Sequence, residues 1–189
     1  MVCLSVALTG CSPWKIVKIG EEGALTGKQA FDASAQSSED WDIVAGEITE
    51  NAVELSELLN GGGVKAATAV KTKATVAEFE SKANGKKTAL IITPEGYDGK
   101  ESVSVQTGSI YTGTGIRDAQ TNKKFEDFTN QTEWSEYAKS LNSEMDSAVV
   151  APLDLANNDP TGKTVTVVGV AESGKSGGVV ITPVELTIE

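Results

Sequence analysis

The stretch Thr88-Ala89-Leu90-Ile91-Ile92-Thr93 marks the point at which this 189-residue sequence changes character. The stretch is short, apolar and rich in β-branched residues, and the turn-forming residues Pro94-Glu95-Gly96-Tyr97-Asp98-Gly99 follow it. A run of this kind that is bounded by turn residues is typical of a β-strand. The sequence therefore predicts a strand here, and the segments on its two sides are of different kinds.

Downstream of this strand, the sequence predicts further strands. Glu101–Val105 and Ile110–Ile116 alternate in side-chain character, as a half-buried sheet requires. Near the C-terminus, Thr164–Val170 and Val179–Ile188 are β-branched runs that the glycine-rich connection 174–178 separates. We therefore expect these segments to form one sheet with the first strand.

A predicted helix interrupts these strands. Asn130 is a favoured N-cap residue, and Glu133 completes the pattern of a capping box. Pro152 predicts the end of the helix. The apolar residues with helical spacing, which predict a buried face, are Trp134, Tyr137, Ala138, Leu141, Met145 and Ala148.

Upstream of Thr88, the sequence predicts helices. Ser38 or Asp40 can cap a helix that runs to Asn60, where a run of glycines supplies a stop. A second helix is predicted over Val64–Ala83, which is rich in Ala and Lys. The apolar stripe of the first helix consists of Trp41, Val44, Ile48, Ala52, Leu55 and Leu59.

These elements predict an α+β fold, helix-rich over 11–85 and strand-rich over 86–189. The strand-rich part is expected to be a small antiparallel barrel with an inserted helix. Gly108, Gly113 and Gly115 favour the bulges and bends of a curled sheet. This combination suits a barrel of the oligonucleotide/oligosaccharide-binding (OB) type.

At the N-terminus, a short apolar run leads into Leu8-Thr9-Gly10-Cys11. This tetrapeptide resembles the lipobox of bacterial lipoproteins, in which a signal peptidase cuts before a cysteine that carries diacylglycerol. Residues 1–10 would then be the remnant of a signal peptide, and 11–189 a single domain. Cys11 would be the lipidation site, anchored to the membrane by fatty acyl chains such as palmitate. The alternative is a chance match, since no Lys or Arg precedes Cys11.

The composition excludes several classes of function. The net charge of -11 would repel phosphates, so nucleic acid is not an expected partner. The absence of histidine excludes a Ser-His-Asp or Cys-His hydrolase and removes the commonest zinc ligand. Thr161-Gly162-Lys163-Thr164 lacks the earlier glycine of a phosphate loop, and it leads into a strand. We therefore expect no cofactor and no metal.

Polar residues flank the junction between the strands and the inserted helix. Arg117, Asp118, Asp127, Asn130 and Gln131 predict a ligand pocket, in which Arg117 offers planar donors to a carboxylate or to sugar hydroxyls. The alternative is an internal Arg–Asp pair together with a helix cap, which needs no ligand. A catalytic interpretation requires Asp118 and Asp127 to converge across a cleft, with the pKa of one carboxyl raised.

Five segments in this order carry a family resemblance: Gly10-Cys11, Lys15–Glu21, Gly113–Ala119, Phe125–Gln131 and Gly162–Pro183. They resemble a bacterial family of predicted periplasmic lipoproteins, domain-of-unknown-function family 2291. The resemblance implies a lipid-anchored protein on the extracytoplasmic face of a bacterial membrane, which is the periplasm in a Gram-negative cell. It also implies a setting similar to that of accessory lipoproteins encoded beside simple-sugar ABC transporters. The family has no established activity, so no catalytic residue follows from it.

Two functions of different classes therefore remain open. The favoured prediction is a non-catalytic accessory or binding component of a sugar ABC-transport system, anchored through Cys11. Its partner would be a transporter component or a small sugar. The alternative is an extracytoplasmic enzyme that acts on carbohydrate through two carboxylates.

Overall fold

The computed structural model describes residues 31–82, 86–108, 110–174 and 177–189. The chain divides into a first unit, Met1–Asp32, and a second unit, Ala33–Glu189. The predicted signal remnant and the predicted lipidation site Cys11 lie outside the described residues. The single domain expected over 11–189 stays a prediction, and the description below concerns the second unit.

Two helices begin this unit: α1 (Ala33–Glu50) and α2 (Leu55–Asn60). The predicted single helix is interrupted between them, because β1 (Val53–Glu54) pairs there with a later strand in parallel. The predicted end at Asn60 is confirmed, since the backbone N–H of Gly63 turns back to donate to the carbonyl of Leu58 at 3.1 Å. Four members of the predicted stripe are buried: Val44, Ile48, Leu55 and Leu59.

The helix predicted over Val64–Ala83 is wrong, because β2 spans Thr68–Lys82. The residues Lys71, Lys73 and Thr75 are exposed on one side of the strand. The residues between and around them, Val70, Thr72, Ala74 and Val76, are buried on the other side. This period of two is that of a strand, and pairing on both edges of β2 outweighs the helix propensity of its Ala and Lys residues.

The remaining strands are β3 (Lys86–Pro94), β4 (Val103–Gln106), β5 (Thr164–Ser173) and β6 (Val179–Ile188). The strand order is β1-β2-β3-β4-β6-β5, and pairing of β2 with β5 closes the last five of these strands into a barrel. The α+β class and the OB-type barrel are thereby confirmed. The barrel is mixed rather than antiparallel, because β4 and β6 run parallel.

The strand predicted over Ile110–Ile116 is wrong, since this segment is a loop that leads into α3 (Gly115–Ala119). The backbone N–H of Thr112 donates to the Gln106 side-chain oxygen at 2.9 Å, and not to a neighbouring strand. Gly113 has a φ of 99°, a backbone conformation that strands do not use. The bend expected at Gly113 is therefore present, but it lies in a loop and not in a curved strand.

The inserted helix is α4 (Gln131–Met145), and the predicted cap at Asn130 is confirmed. Its buried residues include Tyr137, Ala138, Leu141 and Met145, as predicted. A π-helical turn, Asp146–Val150, follows directly. The wider turn shifts the phase of the helix, so that Val150 is buried and the predicted Ala148 is exposed. Within the described ranges, no helix is long and apolar enough to cross a membrane.

Candidate functional site

Arg117 lies on α3, and its guanidinium is fixed by neighbours. Nε and Nη2 both donate to Oδ1 of Asp118, at 2.8 Å and 2.6 Å. The guanidinium carbon also lies 4.5 Å from the centre of the Trp134 ring, a cation–π contact. Only 13% of the Arg117 side chain is exposed. Its planar donors are therefore largely engaged inside the protein.

Asp118 faces solvent but has two partners of its own. Besides the contact with Arg117, its Oδ2 accepts a hydrogen bond from the Thr114 hydroxyl at 2.5 Å. Thr114 precedes α3, so this contact ties the start of the helix to its exposed side. The geometry of Arg117 and Asp118 is thus that of the internal ion pair named as the alternative in the sequence analysis.

Asp127 and Asn130 shape the backbone around them. Asp127 accepts a hydrogen bond from the backbone N–H of Lys124 at 2.8 Å and closes the 3-10 turn Phe125–Asp127. Asn130 accepts from the backbone N–H of Glu133 at 3.0 Å and caps α4. The Glu133 carboxylate in turn accepts from the backbone N–H of Thr129 at 2.8 Å. Both predicted ligand residues therefore have a local structural role.

Gln131 differs from these four residues. It is exposed, and within the described residues its side chain makes no hydrogen bond. It lines a shallow open groove of about 350 Å³ along α4. The other residues that line this groove are polar: Thr132, Ser135, Glu136 and Lys139. Gln131 is therefore the predicted site residue with the most donor and acceptor capacity left for a ligand.

Four aromatic rings run from the core to the surface around the start of α4. Tyr137 is fully buried, and Trp134 stacks on it with ring centres 6.0 Å apart. Phe128 lies 4.9 Å from Trp134. Phe125 contacts Trp134 edge-on at 6.4 Å and remains 49% exposed. The outermost ring, Phe125, is therefore a half-exposed apolar surface that contacts Trp134, and the sequence did not single it out.

The buried end of this series of rings joins α4 to α1. The Tyr137 hydroxyl donates to Oδ2 of Asp40 at 2.9 Å, and Gln36 donates to the same oxygen at 3.0 Å. Asp40 is only 6% exposed, and the Lys123 ammonium lies 3.8 Å from its other oxygen. Burial raises the pKa of the Tyr137 phenol, and the Asp40 carboxylate raises it further. Asp40, predicted as a helix cap, is instead a buried partner of α4.

The loop before α3 is held from several elements. Gln106, at the end of β4, accepts from the Thr112 backbone N–H and donates to the Thr112 carbonyl at 3.0 Å. The same amide donates to the Thr182 hydroxyl of β6 at 2.8 Å. Asn142 of α4 donates to the Gly113 carbonyl at 3.3 Å. This loop therefore enters α3 along a fixed path.

Glu172, near the end of β5, is a charged residue of this region that the sequence analysis missed. Burial raises the pKa of its carboxyl, the backbone N–H of Gly115 opposes this effect, and nearby Asp118 raises the pKa further. The backbone N–H of Thr114 and the Arg117 guanidinium also lower it. No local pattern indicates this contact, because it joins segments that are far apart in the chain.

The catalytic interpretation required Asp118 and Asp127 to converge. Both residues are exposed, and each is held by its own neighbours. Over the described part of the chain, no group of three or more His, Cys, Asp or Glu residues is placed to hold a metal ion. The arrangement offers surfaces for binding and lacks an evident pair of opposed carboxylates at the predicted positions.

Barrel and helices together define an acidic protein of the OB class. A solved OB-fold protein from Thermotoga maritima is similar, with a TM-score of 0.64 at 18% identity. The comparison covers 85% of this chain and 100% of that one, and at this identity it shows the fold. No curated protein matches the chain.

The family is shown by a match over nearly the whole sequence. The family described as "Predicted periplasmic lipoprotein (DUF2291)" matches residues 1–187, and the chain belongs to it. The family resemblance in the sequence is thereby confirmed. The protein is accordingly extracytoplasmic and lipid-anchored, as the sequence predicted.

Proposed function

We propose that this lipoprotein is a non-catalytic binding component of a sugar ABC-transport system and that it holds a small neutral sugar. The observation that carries the proposal is the surface at the start of α4. Phe125 contacts Trp134, and Gln131, three residues before Trp134, is a neighbour of Trp134 on the same helix. The exposed Phe125 ring and the polar groove that Gln131 lines supply the two kinds of contact that a sugar requires.

The chemistry of this surface supports a sugar over other ligands. OB barrels bind oligonucleotides and oligosaccharides. The net charge of -11 repels the phosphates of nucleic acid, which leaves carbohydrate as the better match. The groove offers amide, hydroxyl, carboxylate and ammonium groups, which pair with sugar hydroxyls as donors and acceptors.

The location of this surface differs from the usual OB ligand face. That face lies on barrel strands 2 and 3, here β3 and β4, with the adjoining loops. The proposed surface lies instead on the inserted helix and the turn before it. Fold analogy therefore supports only the class of ligand, and the place of the proposed site rests on the side chains of this chain.

A lipid anchor gives such a binding protein its role. A diacylglyceryl group on Cys11 would hold the domain within reach of membrane-embedded transporter subunits. Tethering converts their encounter into an effectively intramolecular one, which raises the local concentration of a weakly bound sugar or partner. This role needs no reaction at the site.

Replacement of Cys11 tests the anchor. Cys11→Ser removes the only thiol at the lipobox, so we expect the protein to move from the membrane fraction to the soluble extracytoplasmic fraction. Cys3→Ser is the matched control, because Cys3 lies on the side expected to be removed. Membrane retention of the Cys11→Ser protein in fractionation would contradict the anchoring at Cys11.

A thermal-shift screen tests the ligand. Full-length protein carrying Cys11→Ser is heated with neutral pentoses and hexoses at millimolar concentration. A sugar present at about ten times its Kd should raise Tm by about 2–5 °C. We expect Phe125→Ala and Gln131→Ala to remove the shift. Ile43→Ala, which shortens another exposed apolar side chain, should keep it.

Two results of this screen would count against the sugar site. If no sugar raises Tm, the sugar-binding role fails and a protein partner becomes the surviving version of the accessory role. If a sugar raises Tm equally in the Cys11→Ser protein and in its Phe125→Ala and Gln131→Ala variants, the protein binds sugar elsewhere.

One observation keeps the carboxylate enzyme as a second candidate. The pKa of Glu172 is raised, and Asp118 lies close enough to contribute to that effect. Such a pair is the pattern of an acid and a base. However, the Glu172 carboxylate lies against the Gly113 and Gly115 backbone, and Asp118 is engaged by Arg117 and Thr114. Hydrolysis of nitrophenyl glycosides that disappears in Asp118→Asn and Glu172→Gln would replace the binding proposal by the catalytic one.

A further inference from the structure

The outward side of α1 is an exposed helix face. Val44 and Ile48 on the inward side are fully buried, whereas Ile43 on the outward side is 57% exposed. Residues spaced three and four apart lie on one side of a helix, and five such residues of α1 are exposed. We call them the α1 stripe: Glu39, Asp42, Ile43, Gly46 and Glu50.

Gly46 gives this face an open centre. A Cβ atom at Gly46 would meet no neighbouring atom within 4 Å, so no contact in this protein requires a glycine there. A glycine inside a helix is also destabilising relative to alanine. A single exposed isoleucine is ordinary on a protein surface. Here, however, Ile43 stands beside a position without a side chain, and together they form a ridge and a gap of the kind in which helices pack.

The charges around this centre identify the chemistry of a partner. α1 contains no Lys or Arg. Two of its acids are engaged within the protein, since Asp40 accepts from the Tyr137 hydroxyl and Glu47 accepts from the Thr121 backbone N–H. The other three form no ion pair within the described part of the chain: Glu39, Asp42 and Glu50. A molecule that covers this face therefore matches it best with positive charges around an apolar side chain.

A second copy of this chain does not match the α1 stripe. Glu39 and Glu50 lie at equal distances in sequence from the middle of the stripe. Antiparallel pairing of two copies would therefore place Glu39 opposite Glu50 at both ends, and each copy already carries a net charge of -11. Like charges opposed across an interface lower the affinity, so the occupant is a different and basic molecule.

We propose that the α1 stripe docks a basic amphipathic helix of a partner protein. Glu39 and Glu50 are eleven residues apart, about 16 Å along the helix axis. A partner helix that lies along α1 meets both with Lys or Arg at the same spacing, and its apolar side chain packs over Gly46 beside Ile43. An interface of one helix face is weak and transient. Because this protein is lipid-anchored, a weak contact suffices for a partner on the same membrane.

Two synthetic peptides test the charge of the partner. Each is a helix of about 20 residues with Leu on one face and Gln on the other, and it carries either two Lys or two Glu eleven residues apart beside the leucines. Fluorescence anisotropy gives their Kd for full-length protein carrying Cys11→Ser. We expect the Lys peptide to bind at least about tenfold more tightly than the Glu peptide and to weaken with added salt. Equal affinities, or no binding of the Lys peptide at millimolar protein, would overturn the proposal.

Gly46→Gln tests whether the Lys peptide uses α1. Glutamine favours a helix and meets no neighbour at this position, so Tm should stay the same or rise. Its side chain fills the open centre, and we expect the Kd of the Lys peptide to rise at least about tenfold. Ser143→Gln places the same side chain at an exposed position of α4 and should leave the Kd unchanged. An unchanged Kd in Gly46→Gln, or an equal rise in Ser143→Gln, would show that the peptide does not dock on the stripe.

A pair of charge variants tests the two ends of the stripe. Glu39→Gln combined with Glu50→Gln should weaken the Lys peptide at least about fivefold, because both facing carboxylates are lost. Glu95→Gln combined with Glu101→Gln removes the same net charge from two other exposed positions and should change the Kd less than about twofold. Equal losses in the two double variants would mean that the overall charge attracts the peptide, which is incompatible with a docking surface on α1.

This inference does not rest on the proposed sugar site, and the two can fail separately. If no sugar raises Tm while the Lys peptide binds through Gly46, the sugar-binding role fails and the docking surface stands. If a sugar raises Tm in Gly46→Gln as in its parent and the two peptides bind alike, the reverse holds. Sedimentation that shows a dimer of the parent and a monomer of Gly46→Gln would assign the stripe to a second copy and overturn the basic partner.

Discussion

Two regions of this protein lie side by side and are built in opposite ways. The loop clamp is the loop before α3 together with Gln106 and Asn142, whose side chains hold it by hydrogen bonds, and Glu172, whose carboxylate lies against its glycines. The α4 surface, formed by Phe125, Gln131 and the polar groove, leaves its groups directed to solvent. The acidic and basic residues that the sequence singles out therefore mostly build the scaffold. The groups free for a ligand are an aromatic ring and an amide.

The largest effect is expected inside the clamp. Gly113→Ala forces a side chain into a left-handed conformation at a φ of 99°, which should lower the free energy of unfolding by about 1–3 kcal/mol, whereas the flexible end of the Glu172 side chain can move away from the new Cβ at little cost. Urea denaturation measures this loss. Gly46→Ala is the control, because nothing lies near that position on α1, and the change should stabilise by about 0.5–1 kcal/mol. A loss no larger than a few tenths of a kcal/mol for Gly113→Ala would mean that the loop is not held in this conformation.

The next effect tests Asn130, where scaffold and surface meet. Asn130→Ala removes the side-chain acceptor of the Glu133 N–H and should cost about 1 kcal/mol of stability. Ser143→Ala, at an exposed position in the last turn of the same helix and outside the groove, should cost less than half of that. If the Asn130 variant also abolishes a sugar-induced thermal shift while the Ser143 variant does not, the cap residue belongs to the ligand surface as well.

A smaller, pH-dependent effect is expected at Glu172. Its folded-state pKa is raised mainly by burial, so the folded protein favours the protonated carboxyl more than the unfolded chain does. The contribution is therefore present at low pH and is lost as pH rises through the folded pKa. Relative to Glu172→Gln, the parent should become more stable as pH falls from neutral toward the carboxyl range. Parallel stability curves for the two proteins, measured by denaturation across that range, would remove this electrostatic account.

The smallest effect is expected on the α4 surface. Phe125→Ala should change the free energy of unfolding by no more than about 0.5–1 kcal/mol, because the ring is half exposed and touches Trp134 only edge-on. Leu141→Ala, in the buried face of the neighbouring helix, should cost about 2–5 kcal/mol. Comparable losses in the two variants would make Phe125 a core residue and weaken its assignment to a ligand surface.

Local patterns predicted the elements whose signals are local. The strands β3, β5 and β6 and the helix α4 follow from β-branched runs, helical spacing and the Asn130 cap. β2 was missed because its Ala and Lys residues favour a helix, and they outweighed the alternation of Val70, Thr72, Ala74 and Val76. The alternation becomes decisive only when β3 and β5 pair with its two edges.

At the candidate site, too, local patterns could not predict contacts between distant parts of the chain. The sequence named Arg117, Asp118, Asp127, Asn130 and Gln131 as candidates for one site, and the ligand role of these residues stays a prediction. It could not show that Glu172, more than fifty positions beyond Arg117, lies against the Gly113–Gly115 backbone. Contacts of this kind are set by barrel closure, which no local pattern records.

That closure also has a consequence for export. Thr68, at the start of the first barrel strand, pairs with Ala171 of β5. The two strands that close the barrel are therefore separated in sequence by most of the domain. A chain that crosses the membrane from its N-terminus delivers β2 long before its partner β5 arrives. The barrel therefore cannot shut prematurely on the cytoplasmic side once the N-terminal part has entered the export path. Because the contacts that close the barrel are far apart in the sequence, the chain stays unfolded until almost all of it has crossed the membrane.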